Sequence, residues 1–220
     1  MKAIVFDMDG TLLDSMAEWR SLEKRFIQQL NIPEDQVDFE QMNTMGTSEV
    51  TEYLKKLFKV EITGDDLVQF AMDEMRKYYT HRVRLKPGAL KVLDFFKDQG
   101  IPLAIGTATH KDLALVALEN AGLLSYFEFV YSSSVDHYAK NDKRFFRACS
   151  QAFQEKPEDM ILFDDALYAL VAAKEAGYYT IAMVDQAYEQ DLDILKRRSD
   201  LLVENFDSWD MENWFKAFKR

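Results

Sequence analysis

The chain has 220 residues and a formal net charge of -11, with 48% hydrophobic and 30% charged residues. This excess of negative charge repels phosphate backbones and anionic lipids, so we expect no binding to nucleic acids or membranes. The single cysteine, Cys149, excludes an intramolecular disulfide, and the amino terminus reaches charged residues too early for a secretion signal, so a cytoplasmic location is expected.

Short apolar runs typical of buried strands alternate with segments of helical length. The runs occupy residues 3–6, 102–106, 127–131, 160–163 and 179–184. Between them, Leu90, Leu93 and Phe96 recur at helical spacing, and Gly100 ends that segment. This alternation predicts an α/β fold whose core is a doubly wound, Rossmann-like parallel sheet with helices on both faces.

The stretch of residues 15–85 departs from this alternation, because it contains at least three helical patterns and no intervening strand pattern. Ser15 is placed to begin the first helix, with Glu18 in the capping-box position. We therefore predict an all-helical domain at 15–85, inserted into a core formed by residues 1–14 and 86–220. A last helix is expected to pack on that core near Trp209 and Trp214.

The motif FDMDGT follows the first predicted strand and carries the strongest chemical signal. If the chain is still extended there, the side chains of Asp7 and Asp9 point to the same side, because residues two apart in a strand share a face. Gly10 permits a sharp turn away from the strand. Since ligands bind at the carboxyl ends of strands in open α/β sheets, we expect these carboxylates to form part of a site.

A second acidic pair, Asp164 and Asp165, follows the apolar run at 160–163. Parallel neighbouring strands would bring this pair to the same sheet edge as Asp7 and Asp9, where up to four carboxylates would repel one another. A divalent cation with oxygen ligands resolves such repulsion, and Mg²⁺ prefers this ligand type. The sequence therefore predicts a Mg²⁺ site.

Two further segments suit a phosphate group. Thr107 ends the second core strand and offers a hydroxyl, while the backbone N–H groups of Ala108 and Thr109 follow it. Lys140 precedes a predicted helix and supplies the positive charge that an acidic protein needs in order to bind an anion.

The four motifs, in this order, resemble those of the haloacid dehalogenase-like superfamily, in the branch of small-molecule phosphatases and β-phosphoglucomutases. The resemblance covers essentially the whole chain, and the insertion at 15–85 looks like the family's helical cap of the first class. It implies that Asp7 is the nucleophile and that Asp9 is the general acid and then the general base. It also implies that Asp164 and Asp165 complete the Mg²⁺ site, to which Asp7 contributes its side chain and Asp9 its backbone carbonyl.

The same resemblance assigns Thr107 and Lys140 to the transferring phosphate. Relatives usually have Lys-Pro-x-Pro in the third motif, whereas this chain has Lys-Asn-Asp-Lys, so Lys143 remains an alternative to Lys140. The loop of residues 43–48 corresponds to the place where relatives contact the substrate, which makes Gly46 and Thr47 candidate substrate residues. This loop has no arginine for a second phosphate, and this disfavours a mutase.

The expected function is that of a Mg²⁺-dependent phosphatase, a monomer acting on a small phosphorylated metabolite through an aspartyl-phosphate. A phosphomutase is the first alternative, because a sugar hydroxyl can accept the phosphoryl group in place of water. A protein that binds phosphometabolites without turnover is the second alternative.

Overall fold

The computed structural model describes residues 1–42, 45, 47–135, 137–186 and 192–218. The chain divides into two compact units, one of residues 1–16 with 79–220 and the other of residues 17–78. The smaller unit falls within the segment 15–85, for which the sequence predicts an inserted domain.

The larger unit is built on a parallel sheet. Its six strands are ordered β3-β2-β1-β4-β5-β6. Their bounds are β1 (Ala3–Phe6), β2 (Leu103–Thr107), β3 (Val130–Ser132), β4 (Met160–Asp164), β5 (Tyr179–Met183) and β6 (Leu201–Val203). The predicted α/β fold with a parallel, Rossmann-like sheet is confirmed, although β6 was not among the predicted strands.

The helices follow the order of the chain. The first four are α1 (Met16–Gln29), α2 (Phe39–Met42), α3 (Thr47–Phe58) and α4 (Gly64–His81). The others are α5 (Ala89–Asp98), α6 (Lys111–Asn120), α7 (Lys143–Phe153), α8 (Leu167–Ala176), α9 (Leu192–Arg198) and α10 (Met211–Phe218). Across the described residues, none of these helices combines the length and the apolar character needed to cross a membrane.

Alternate residues of β1 pack on opposite faces of the sheet. Ala3 and Val5 belong to a buried cluster that also contains residues of α7 and α8. Phe6, on the other face, stacks on Phe163 with ring centroids 4.6 Å apart, and Phe96 of α5 lies 6.4 Å from Phe6. Each fully buried phenylalanine contributes roughly 1.5–3 kcal/mol, so both faces stabilise the strands that end at the acidic motifs.

The smaller unit has its own apolar core. Its buried members are Phe26, Ile27, Ile32, Val37, Met42, Val50, Leu54 and Ile62. Arg25 of α1 forms ion pairs with Glu18 at 2.8 Å and with Glu74 of α4 at 2.9 Å. Helix α1, which the sequence predicts to begin at Ser15, therefore packs into this core through Phe26, and an ion pair between Arg25 and Glu74 connects it to α4.

Candidate active site

Strand register brings the acidic motifs together. Phe6 pairs with Ile105 of β2 on one side and with Phe163 of β4 on the other. The N–H of Asp7 donates to the carbonyl oxygen of Phe163 at 2.8 Å, so β1 still pairs with β4 where the first motif begins. Asp7 thus leaves the sheet between the end of β2, at Thr107, and the end of β4.

Three carboxylates form a buried cluster at this edge, which we call the acidic cluster: Asp7, Asp164 and Asp165. They are 5%, 0% and 4% exposed, and each offers an oxygen within 4.8 Å of the others. Burial raises the pKa of Asp7 to about 7, the charge of Asp164 adds to this, and Lys140 opposes it. Burial also raises the pKa of Asp164 and of Asp165. Ionising all three without a further cation is therefore costly.

The donor set of the acidic cluster fits a divalent cation. Three carboxylate oxygens face one another with Lys140 as the cation beside them, and oxygen ligands of this kind are those that Mg²⁺ takes. The turn after β1 is packed directly on this set, because a Cβ at Gly10 would lie 2.3 Å from Oδ2 of Asp165. Gly10 also has φ of +84°, so any other residue there would be strained and would displace a carboxylate of the cluster.

Lys140 lies against the acidic cluster, whereas Lys143 is exposed at the first position of α7. The ammonium of Lys140 forms an ion pair with Asp7 and lies 2.8 Å from Oδ2 of Asp164, and the residue is only 3% exposed. Burial acts to lower the pKa of Lys140, but the charges of Asp164 and Asp7 outweigh it and raise that pKa. The lysine therefore remains charged in the buried site.

Polar contacts hold the loop at residues 140–143, which has no proline where relatives usually have two. Asp142 accepts the backbone N–H of Arg144 at 2.8 Å and caps the start of α7. The guanidinium of Arg144 donates back to Asp142 and lies over the ring of Tyr138, 4.8 Å from its centroid. These contacts fix the chain on both sides of Lys140, so the loop has substitutes for the missing prolines.

The side chain of Asp9 is held by three hydroxyl groups and is not a member of the acidic cluster. Ser15 and Tyr79 each donate to Oδ1 at 2.6 Å, and Thr109 donates to Oδ2 at 2.7 Å. The sequence suggested Ser15 only as a helix cap and Thr109 only as a phosphate residue. Tyr79 had no sequence signal, because a tyrosine near the end of a helix is ordinarily read as part of an apolar face.

The remaining predicted residues differ in their exposure. Thr107 is buried, and its Oγ1 accepts the N–H of Thr109 at 3.0 Å, while Ala108 between them is exposed. Thr47 is exposed at the start of α3. Gly46 lies outside the described residues. Thr107 and Ala108 therefore lie at the end of β2, which pairs with β1. The phosphate and substrate roles of Thr107, Ala108, Thr47 and Gly46 all stay predictions.

The raised pKa of Asp7 leads to a prediction about metal binding. Without a divalent ion, Asp7 keeps its proton up to about pH 7 in the folded protein, whereas in the unfolded chain it loses the proton near its ordinary pKa of 3.8. The contribution of Asp7 to the free energy of unfolding therefore falls as the pH rises from about 4 toward about 7. Mg²⁺ must displace that proton. We therefore expect Mg²⁺ to raise the Tm more at about pH 8 than at about pH 5. At a Mg²⁺ concentration of 100 times the Kd, binding should add about 2.7 kcal/mol to the free energy of unfolding.

Thermal unfolding with and without Mg²⁺ at both pH values checks this. Asp164→Asn removes one oxygen of the acidic cluster and should abolish most of the shift, whereas Asp159→Asn, a carboxylate ion-paired with Lys2 away from the cluster, should preserve it. An equal Tm shift at both pH values, or a full shift in Asp164→Asn, would be incompatible with metal binding at the cluster.

Comparisons with known proteins agree with this geometry. The family described as haloacid dehalogenase-like hydrolase has a model that matches residues 1–177. A phosphoglycolate phosphatase from Nitrosospira multiformis is 28% identical over 214 residues, which cover 92% of this chain and 91% of that protein. A phosphorylated carbohydrates phosphatase from Thermotoga maritima is 23% identical over 177 residues, covering 80% and 82%.

Among solved structures, a HAD hydrolase of family IA, variant 3, from Entamoeba histolytica has a TM-score of 0.78 at 18% identity and covers 100% of both chains. This likeness concerns the fold. The family match contains Asp7, Lys140 and both residues of the second acidic pair.

Proposed function

The chain belongs to the haloacid dehalogenase-like hydrolases, and from this we propose that it is a Mg²⁺-dependent phosphatase acting through an aspartyl-phosphate on Asp7. The observation that carries the proposal is the buried acidic cluster at the sheet edge, with the ammonium of Lys140 against Asp7 and Asp164. The contact between this ammonium and the carboxylate of Asp7 supports the roles proposed for both groups. The names of the similar proteins support a phosphoric monoester as the substrate.

The chemistry follows from the residues. An oxygen of Asp7 attacks phosphorus and forms the new P–O bond as the bond to the leaving alcohol breaks, while Asp9 gives its proton to the alcohol oxygen. Lys140, Thr107 and the N–H groups after Thr107 stabilise the charge on the phosphoryl oxygens. Mg²⁺, held by the acidic cluster and by the backbone carbonyl of Asp9, would supply further neutralisation of that charge.

The second half of the reaction regenerates the enzyme. Water attacks phosphorus, its proton passes to Asp9, and the P–O bond to Asp7 breaks to release inorganic phosphate. In the mutase alternative a sugar hydroxyl takes the place of this water. Phosphatase names among the similar proteins support the hydrolytic outcome.

We propose further that residues 15–85 act as a cap domain that selects a small phosphorylated metabolite, with Gly46 and Thr47 as substrate-binding residues. The experiment is a phosphate-release screen over sugar phosphates, phosphoglycolate and nucleotides with Mg²⁺, using Asp7→Asn as the blank. Release above the blank that stops in excess EDTA is expected. Phosphosugar isomers without phosphate release would replace the phosphatase with the mutase, and no turnover of any substrate would contradict both.

A prediction for Asp9 follows from its proposed role as the acid. Asp9→Asn should slow first-turnover release of an alkyl alcohol by about 10²- to 10⁴-fold, because an alkoxide needs a proton to leave. Release of nitrophenolate, which leaves without a proton, should fall much less. Rapid-quench measurement with both substrates checks this. Equal losses with the two leaving groups would contradict the acid role.

A further inference from the structure

The three hydroxyl donors leave the two oxygens of Asp9 in different states. A carboxylate has about four lone-pair sites, two on each oxygen. Oδ1 accepts from both Ser15 and Tyr79, so its two sites are used, whereas Oδ2 accepts from Thr109 alone among the described residues. Ser15 and Tyr79 are both fully buried, so water does not compete for these hydrogen bonds.

We infer that Oδ2 of Asp9 is the atom that carries the transferred proton, and that Tyr79 is a positioning residue that enforces this choice. This inference rests on the proposed function. A proton on Oδ1 would have to displace the hydroxyl of Tyr79 or Ser15, and leaving a buried hydroxyl without an acceptor is unfavourable. A proton on Oδ2 uses the remaining lone pair and leaves all three hydrogen bonds intact.

Oδ2 of Asp9 then donates the proton in the first step and accepts a proton in the second. In the first step the Oδ2–H bond breaks as the alcohol oxygen gains the proton and loses phosphorus to Asp7. In the second step the attacking water gives a proton to Oδ2 as its oxygen bonds phosphorus and the bond to Asp7 breaks. Tyr79 keeps its hydroxyl proton throughout, because its part is to hold Oδ1.

The test is Tyr79→Phe, which removes one oxygen atom and keeps the ring. It frees a lone pair on Oδ1, so a part of the molecules carry the proton on the wrong oxygen, and it also removes one of the three hydrogen bonds that orient the carboxyl group. We expect first-turnover release of an alkyl alcohol to fall about 10-fold, a fraction of the full effect of an acid. Release of nitrophenolate should change less than about 2-fold, since that step needs no acid. KM should be unchanged, because Tyr79 is not placed on the substrate.

A matched control is available on the surface of the same unit. Tyr126 also donates its hydroxyl to a carboxylate, at 2.5 Å to Oδ1 of Asp94, but this hydrogen bond is exposed to solvent. Tyr126→Phe should leave both leaving-group rates unchanged. Ser15→Ala, which frees the other lone pair of Oδ1, should reproduce the leaving-group difference and serves if Tyr79→Phe does not fold.

A double-mutant cycle with nitrophenyl phosphate and an alkyl phosphate completes the test. If Tyr79 acts through Asp9, adding Tyr79→Phe to Asp9→Asn should have no further effect on alcohol release. Equal losses on both leaving groups, no loss at all, or full additivity with Asp9→Asn would each overturn the inference. The proposed function fails separately, when the parent protein itself gives no rapid release of alcohol or nitrophenolate from any phosphate ester.

Discussion

Replacing Asp7 by asparagine is expected to lower turnover by about 10⁴-fold or more, since it removes the atom that bonds to phosphorus. The protein should stay folded, because the change keeps the shape of a buried side chain and removes a charge whose burial is costly. Burial already raises the pKa of Asp7 to about 7, so burying a neutral amide at this position costs less free energy than burying a carboxylate.

Turnover and thermal unfolding of Asp7→Asn separate the two effects. Asp159→Asn is the matched control, because it makes the same chemical change at a surface ion pair with Lys2. Loss of turnover in Asp7→Asn with an unchanged or higher Tm would agree with a nucleophile. A fully active Asp7→Asn would rule out covalent catalysis at this residue.

The second large effect is expected for Lys140→Met. This change keeps most of the apolar stem but leaves the buried carboxylates of Asp7 and Asp164 without their ammonium partner. We expect kcat to fall by about 10²- to 10³-fold, as for the loss of one charge-stabilising group in an active site. In metal-free protein, breaking a buried ion pair should also cost about 3–5 kcal/mol of stability.

Lys143→Met is the matched control for this variant, because Lys143 is exposed three positions later on the same loop and helix. Its kcat should stay within about 2-fold of the parent, as is usual for a surface substitution. Kinetics of both variants, with denaturant unfolding in the presence and absence of Mg²⁺, provide the measurement. A large loss in Lys143→Met with an active Lys140→Met would reverse the assignment of the phosphate lysine.

The sequence was most informative where chemistry and strand pattern coincide. The apolar runs before Asp7 and Asp164 predicted buried strands, and parallel pairing of β1 with β4 is enough to bring Asp7 to Asp164 and Asp165. The side chain of Asp9 does not join them, because three hydroxyl groups hold it. The choice between Lys140 and Lys143 needed the structure, because both precede the body of α7. Only the structure shows that Lys140 is ion-paired with Asp7 and Asp164 while Lys143 is exposed.

Other features of the structure could not be predicted from the sequence. Strand β6 has three residues, too few for a periodic pattern to be recognised. It lies at the edge of the sheet beside β5. Leu90 continues the predicted helical stripe of α5 but is 44% exposed, since helical spacing fixes a face and not its burial. Tyr79 contacts Asp9 from the far end of α4, and a hydrogen bond between residues so distant in the chain depends on the tertiary fold.

Direct trapping of the phosphoenzyme tests the central claim. The protein is mixed with Mg²⁺ and a phosphate ester, quenched in acid within one turnover, and treated with borohydride, which reduces an acyl phosphate to the alcohol. Peptide mass spectrometry should then find homoserine in place of Asp7 and unmodified aspartate at Asp9, Asp164 and Asp165. Rapid release of phosphate with no reduction at Asp7, or with reduction at another carboxylate, would contradict the account.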